Sequence, residues 1–280
     1  MSNLGDILKS CGFKFNKKLG QNFISDSNLL DAIVADSGVG ENDTVVEIGT
    51  GAGTLTAALA KKVGKVISYE TDISLKPVLE ITLREFDNVE VVFKDILKAS
   101  ISEIEALAGG GAYHVVANLP YCVTTPVLMK FVEQSEHAQS LTLMMQKEVA
   151  QRLSAKPGSK EYGSVTVACD LYGETKTVRT VSRKLFFPEP NVDSAVVRIE
   201  KHKESLPCDK KALRRVVKSA FAMRRKTLAN NLAASFGKSR ADYEAVLAQL
   251  NFSPTVRGEA LSVQDFCRLT ELLEEKNLVQ

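Results

Sequence analysis

Three stretches of this chain combine residue types that could hold and activate a small organic ligand. The first is Val45–Thr56 (VVEIGTGAGTLT), where Gly49, Gly51 and Gly53 follow a short apolar run. Glycines at this spacing let the backbone turn sharply and approach a ligand with no Cβ in the way. A dinucleotide fingerprint, G-x-G-x-x-G, needs glycine where Thr54 stands. What remains is E-x-G-x-G-x-G, a ligand cradle or a structural turn. The second feature is a pair of carboxylates. Glu70 lies 21 residues after Gly49 at the end of the next β-branched run, where it can accept from both ribose hydroxyls. That spacing suits NAD as well, and a carboxylate there disfavours a 2′-phosphate. Asp95, in FKDIL, can accept from an adenine amino group or cap a helix. The third is Asn118-Leu119-Pro120-Tyr121. An exocyclic amine on a base is a poor nucleophile because its lone pair is delocalised into the ring. The Asn118 side-chain oxygen and the Pro120 carbonyl can accept both N–H bonds and localise that lone pair. Tyr121 can stack on the ring, at about 1–3 kcal/mol per base. Alone, the tetrapeptide reads equally well as an Asn-x-Pro turn.

These residues need a frame, and the hydrophobic pattern supplies one. Thr44–Ile48, Lys65–Tyr69, Val89–Phe93, Tyr113–Ala117 and Leu141–Met145 read as strands. Helix-like segments separate them, including one at Ser74–Phe86 with Pro77 near its first turn and one at Pro126–Val132. Alternation of this kind predicts a parallel sheet with helices on both faces. Ligands of such sheets bind at the carboxyl ends of the strands, where Glu47, Gly49, Glu70, Asp95 and Asn118 all fall. Beyond residue 160, Ser164–Leu171, Thr177–Ser182 and Ser194–Glu200 read as β-rich stretches that finish the same sheet antiparallel. From about 205 the chain reads as helical. Leu213, Val216, Val217, Ala220 and Phe221 form one apolar helical face, with Asp209 as N-cap.

Composition bounds the function. The chain has 280 residues, 44% hydrophobic and 25% charged, which excludes wholesale disorder, collagen-like repeats and a disulfide scaffold. No apolar run approaches the roughly 18–20 residues that span a bilayer, and no secretory signal is visible. Five scattered cysteines without a C-x-x-C pair fit a reducing cytoplasm. Three isolated histidines give no metal-ligand spacing, so no metal is expected. Net charge is +2, but residues 1–181 carry 18 basic and 22 acidic side chains, while residues 182–280 carry 18 and 12. Lys211, Arg214, Arg215 and Lys218 share a helical stripe, and Arg224, Arg225 and Lys226 follow closely. The N-terminal arm adds Lys9, Lys14, Lys17 and Lys18. A basic arm and a basic second lobe on an acidic body point to a polyanion, nucleic acid ahead of membrane.

E-x-G-x-G-x-G resembles the S-adenosylmethionine loop of class I methyltransferases. The resemblance widens with KKLGQNF (Lys17–Phe23), YETD (Tyr69–Asp72), KDIL, NLPY, QKEVAQRL (Gln146–Leu153), YGSVTV, FFPEPNVDSAVVR (Phe186–Arg198) and FAMRRKTLANNL (Phe221–Leu232). In this order, along nearly the whole chain, these resemble the ribosomal RNA adenine N6,N6-dimethyltransferases of the KsgA type. The resemblance implies an α/β, Rossmann-like class I methyltransferase sheet, mostly parallel with an antiparallel end, plus a small helical C-terminal domain. It implies a basic arm at 1–22, an S-adenosylmethionine-dependent methyltransferase domain at 23–203 and a helical rRNA-binding domain at 204–280. The implied reaction is dimethylation of two adjacent adenosines near the 3′ end of 16S rRNA in the small subunit, during ribosome biogenesis, by a cytoplasmic monomer that touches no membrane.

Carried over residue by residue, Asn22, Ile24, Gly49, Gly51, Glu70, Asp95 and Asn118 would contact S-adenosylmethionine. Asn118, Pro120 and Tyr121 would serve the target amine, and Phe186 would stack on the flipped adenine opposite Tyr121. Lys17, Lys18, Lys211, Arg214, Arg215, Lys218, Arg224, Arg225 and Lys226 would meet RNA. Cys122 and Ile24 depart mildly from the family pattern, which often has asparagine and leucine there. Two other readings stand: a macrolide-resistance-type 23S rRNA adenine methyltransferase, and a mainly non-catalytic small-subunit assembly factor. A DNA adenine methyltransferase would usually carry Asp-Pro-Pro-Tyr in place of NLPY.

Overall fold

In the computed structural model, residues 4–15, 21–203 and 209–279 are described, so Lys17 and Lys18 lie outside the described residues. The chain forms two compact units, residues 1–150 with 175–201, and residues 151–174 with 202–280.

The first unit is built on β2 (Thr44–Ile48), β3 (Lys65–Glu70), β4 (Val89–Phe93), β5 (Tyr113–Asn118), β6 (Ala138–Gln146), β7 (Gly173–Val181) and β9 (Ser194–Lys201). They make one seven-stranded sheet in the order β4-β3-β2-β5-β6-β9-β7. Neighbours from β4 to β6 are parallel, and β9 runs antiparallel to β6. Central strands are buried on both faces, which explains why β2 and β3 read as continuous apolar runs rather than alternating ones. The chain winds outward from β2 to β4 and then crosses back to β5 on the other side of β2. The switch point therefore lies between the carboxyl ends of β2 and β5, where Ile48 pairs with Ala117.

Helices cover this sheet: α2 (Ser27–Ser37), α3 (Thr54–Ala60), α4 (Lys76–Thr82), α5 (Ile101–Leu107) and α6 (Tyr121–Gln134). Asp26 caps α2 by accepting from Leu29 N–H at 2.9 Å. The helix expected at Ser74–Phe86 is shorter, with a 3₁₀ turn at Ile73–Leu75 before α4. The one expected at Pro126–Val132 begins five residues earlier and holds Pro126 in its interior. Within the N-terminal arm, α1 (Leu4–Ser10) packs Leu4, Ile7 and Leu8 with Leu75, Val78, Leu79 and Leu83. A two-stranded antiparallel sheet pairs β1 (Phe23–Ile24) with β8 (Phe186–Phe187).

The second unit corrects two expectations. Ser164–Leu171 is not a strand: it lies in α8 (Ser164–Tyr172). Its valines and threonine favour β structure, but Thr166, Val167, Cys169 and Tyr172 are buried at helical spacing, so packing overrides propensity. Residues 151–174, whose last two open β7, therefore group with the second unit, and Tyr162 and Val167 are buried in that unit's own core. That core gathers Leu213, Val216, Tyr243, Phe266 and Leu269 from α9 (Lys210–Ala220), α11 (Arg240–Gln249) and α12 (Val263–Glu275), with α10 (Leu228–Phe236) packed alongside. Asp209 caps α9 by accepting from Ala212 N–H at 2.7 Å.

Candidate active site

A cavity of about 600 Å³ opens at the switch point of the first unit. Asn22, Ile24, Gly49, Gly51, Glu70, Asp95, Asn118, Pro120, Tyr121 and Phe186 all line it. One volume thus gathers every cofactor and target residue expected from the sequence.

The glycine loop turns through left-handed backbone at Gly49 and Gly51, with φ of 84° and 56°. A Cβ on Gly49 would sit 3.3 Å from the Asn118 carbonyl oxygen, and one on Gly51 would sit 3.2 Å from the Phe23 ring. Glycine is required at both positions for conformation and for closeness. Glu70 holds the loop from the next strand. Its Oε2 accepts from Gly51 N–H, and its Oε1 accepts from Thr71 and Asp72 N–H, each at 2.8 Å. Burial raises the Glu70 pKa above its ordinary value, with these backbone donors opposing the rise. Beside it, Gln21 Nε2 donates to Asp72 Oδ2 at 2.7 Å, and Thr54 Oγ1 donates to the Ile24 carbonyl at 2.9 Å. The first bond ties the segment before β1 to the turn after β3, and the second ties β1 to the end of the glycine loop, where α3 begins. Asp95 caps its own turn, accepting from Leu97 N–H at 2.9 Å, while also lining the cavity.

On the other side of the switch point, Asn118 Nδ2 donates to the Asn22 carbonyl at 3.4 Å. With that end of the amide engaged, Oδ1 is the atom left to accept. The Pro120 carbonyl, expected to serve the target amine, already accepts from Val123 N–H at 3.0 Å and Thr124 Oγ1 at 3.3 Å. Both donors belong to the first turn of α6. The Tyr121 hydroxyl meets Ser194 Oγ at 2.8 Å. Ser194, the serine of the FFPEPNVDSAVVR run, is fully buried. In the sequence Ser194 reads only as a strand start, because nothing local ties it to Tyr121, 73 residues away. Phe186, 6% exposed, lines the cavity and also packs in the core with Ile24, its strand partner.

The basic residues of the second unit behave as a surface. Lys211, Arg214, Arg215 and Lys218 are exposed while their helix buries Leu213, Val216 and Val217. The Arg215 guanidinium lies 5.4 Å from the Phe236 ring centroid. Arg224 bonds the Lys160 carbonyl and lies 3.8 Å from Glu259, whereas Arg225 and Lys226 are exposed. Among the described residues, no group of three or more His, Cys, Asp or Glu could hold a metal ion, and no helix is long and apolar enough to cross a membrane.

Sheet order, glycine loop and strand-end carboxylate together define a class I methyltransferase fold. The ribosomal RNA adenine dimethylase family model matches residues 12–275, and the chain belongs to that family. It is 44% identical over 275 residues to "Ribosomal RNA small subunit methyltransferase A" of Bacillus cytotoxicus, covering 96% of this chain and 94% of the relative. The protein of that name from Bacillus mycoides is equally similar. Among solved structures, a dimethyladenosine transferase from Plasmodium falciparum aligns with a TM-score of 0.77 at 25% identity, covering 91% of this chain and 98% of that one. The 23S rRNA methyltransferase ErmE aligns at 0.69 and 26% identity, covering 90% and 99%.

Proposed function

We propose that this enzyme transfers methyl groups from S-adenosylmethionine to the N6 atoms of two adjacent adenosines near the 3′ end of small-subunit 16S rRNA. It acts as a cytoplasmic monomer during ribosome biogenesis. The observation that carries the reading is the meeting of Asn118, Tyr121 and Phe186 with Glu70 and the glycine loop on one cavity.

The cavity suits the cofactor. Its wall is mixed polar and apolar, and it includes a buried carboxylate, Glu70, able to accept from ribose hydroxyls. Glu70 Oε2 keeps a lone pair beyond the Gly51 bond, Asp95 keeps its second oxygen, and Asn22, Ile24, Gly49 and Gly51 complete the wall. Bound there, S-adenosylmethionine supplies an electrophilic methyl group. The chain's own part is to ready the nucleophile. Asn118 Oδ1 and the Pro120 carbonyl accept the two N–H bonds of the adenine amine, which localises the nitrogen lone pair. Tyr121, held at its hydroxyl by Ser194, and Phe186 offer aromatic surface to a base extruded from its stack. The exposed stripe of α9 and the Arg225–Lys226 turn bind rRNA phosphates.

The test offers labelled S-adenosylmethionine with unmethylated small subunits, large subunits or naked rRNA, and reads methylation by primer extension. Two adjacent stops near the small-subunit 3′ end are expected. Label confined to the large subunit would support the 23S reading, for which the ErmE likeness speaks. Small-subunit binding without label would leave an assembly factor.

A further inference from the structure

The two-stranded sheet beside the cavity carries phenylalanines on both faces. Phe186 faces the cavity, and alternation along the strand turns its neighbour Phe187 the other way. Phe187 is 62% exposed, the one aromatic ring among the exposed large apolar side chains of the described residues. It is not loose. Its ring meets Phe15 edge-to-face, with centroids 5.3 Å apart and planes at 80°. Phe15 in turn lies 5.4 Å from Phe23, which pairs with Phe187 across the strands and lines the cavity. An aromatic series therefore runs from the cavity wall to the surface. A single edge-to-face contact leaves at least one face of the Phe187 ring uncovered by Phe15. Lys14, between Phe13 and Phe15, is exposed, as is Lys184 just before the strand. The nearby acid Glu189 is taken up by Arg183 at 2.9 Å.

We propose that Phe187, backed by Phe15, is a stacking platform for the nucleotide next to the target adenine, with Lys14 and Lys184 meeting its flanking phosphates. The inference rests on the RNA reading above and deepens it. Phe187 follows Phe186 directly, and its cross-strand partner Phe23 also lines the cavity. The exposed ring therefore stands beside the cavity that takes the extruded base, within reach of the nucleotide that stays outside. An exposed ring flanked by cations suits a nucleotide, since every base offers a π-face and every linkage a negative charge.

The experiment uses the full chain and an RNA hairpin of the small-subunit 3′ end, with 2-aminopurine replacing the nucleotide next to the target. Wild type quenches the probe on binding. Phe187→Ala abolishes the quenching and raises KM for unmethylated small subunits about 5- to 150-fold, the loss of one stacked base. kcat, S-adenosylmethionine affinity and melting temperature stay unchanged, and Phe187→Trp restores quenching. Lys14→Ala with Lys184→Ala flattens the salt dependence of hairpin binding. Undiminished quenching and unchanged KM in Phe187→Ala overturn the platform, and an unchanged salt slope overturns the lysines' part. A wild-type enzyme that methylates no small-subunit adenine would instead refute the functional reading beneath it.

Discussion

Glu47, two residues before Gly49, is an ionisable group that the fold keeps from ionising. Its side chain is fully buried, and Oε2 accepts from the Thr56 and Ser68 hydroxyls at 2.6 Å each. Oε1 has no partner among the described residues. Desolvation outweighs the two hydrogen bonds and pushes the carboxyl up to about 8 from 4.5. Ser68 has one proton and gives it to Glu47, so the Thr50 hydroxyl, 2.6 Å away, donates to Ser68. The carboxyl thereby anchors the glycine loop through two hydroxyls. A group whose folded pKa lies above its unfolded one stabilises fully below the unfolded value, and that stability is lost as pH rises through the folded value. At about 1.4 kcal/mol per pH unit, this carboxyl alone costs the first unit on the order of 3–5 kcal/mol between pH 4.5 and 8. Glu47→Gln keeps an acceptor for both hydroxyls and never ionises. It should unfold in urea within about 1 kcal/mol of wild type at pH 5 and be the more stable protein at pH 8.5. Paired urea titrations across that range, followed by tyrosine fluorescence, measure the gap. Comparing two proteins cancels other groups that titrate there, such as Asp170, which burial raises to about 6. Parallel pH profiles would refute the reasoning, since they would mean that Glu47 is ionised in the folded chain.

Asn118→Ala should abolish methyl transfer while S-adenosylmethionine binding, followed by calorimetry, falls less; near-normal turnover would remove Asn118 from the mechanism. Glu70→Ala strands three backbone N–H groups as well as the cofactor, so affinity should drop by about 1–3 kcal/mol, and calorimetry showing NAD bound more tightly than S-adenosylmethionine would overturn the cofactor. Phe186→Ala should cost about 3–5 kcal/mol of stability because the ring belongs to the core. Phe186→Leu is therefore the cleaner probe, with methylation expected to fall further than melting temperature. Reversing Arg214, Arg215 and Lys218 to Glu should weaken small-subunit binding and flatten its salt dependence with cofactor affinity intact, whereas a merely solvated face would leave the slope unchanged.

Local chemistry determined much of this protein. Apolar runs ending in Gly49, Glu70, Asp95 and Asn118 needed only a parallel sheet to converge, because every parallel strand delivers its carboxyl end to the same side. The stripe on α9 was equally legible, since 3.6-residue periodicity sorts charged from apolar without help from elsewhere. Contacts distant in sequence were decided by the tertiary structure alone. Ser194 fixes Tyr121 only because β9 returns antiparallel beside β6, and Phe186 reaches the cavity only because β8 pairs with β1. α8 became a helix, against its β-branched composition, when the second unit's core claimed one of its faces. That two donors of α6 engage the Pro120 carbonyl turns on where that helix begins, which packing sets and the tetrapeptide alone does not show.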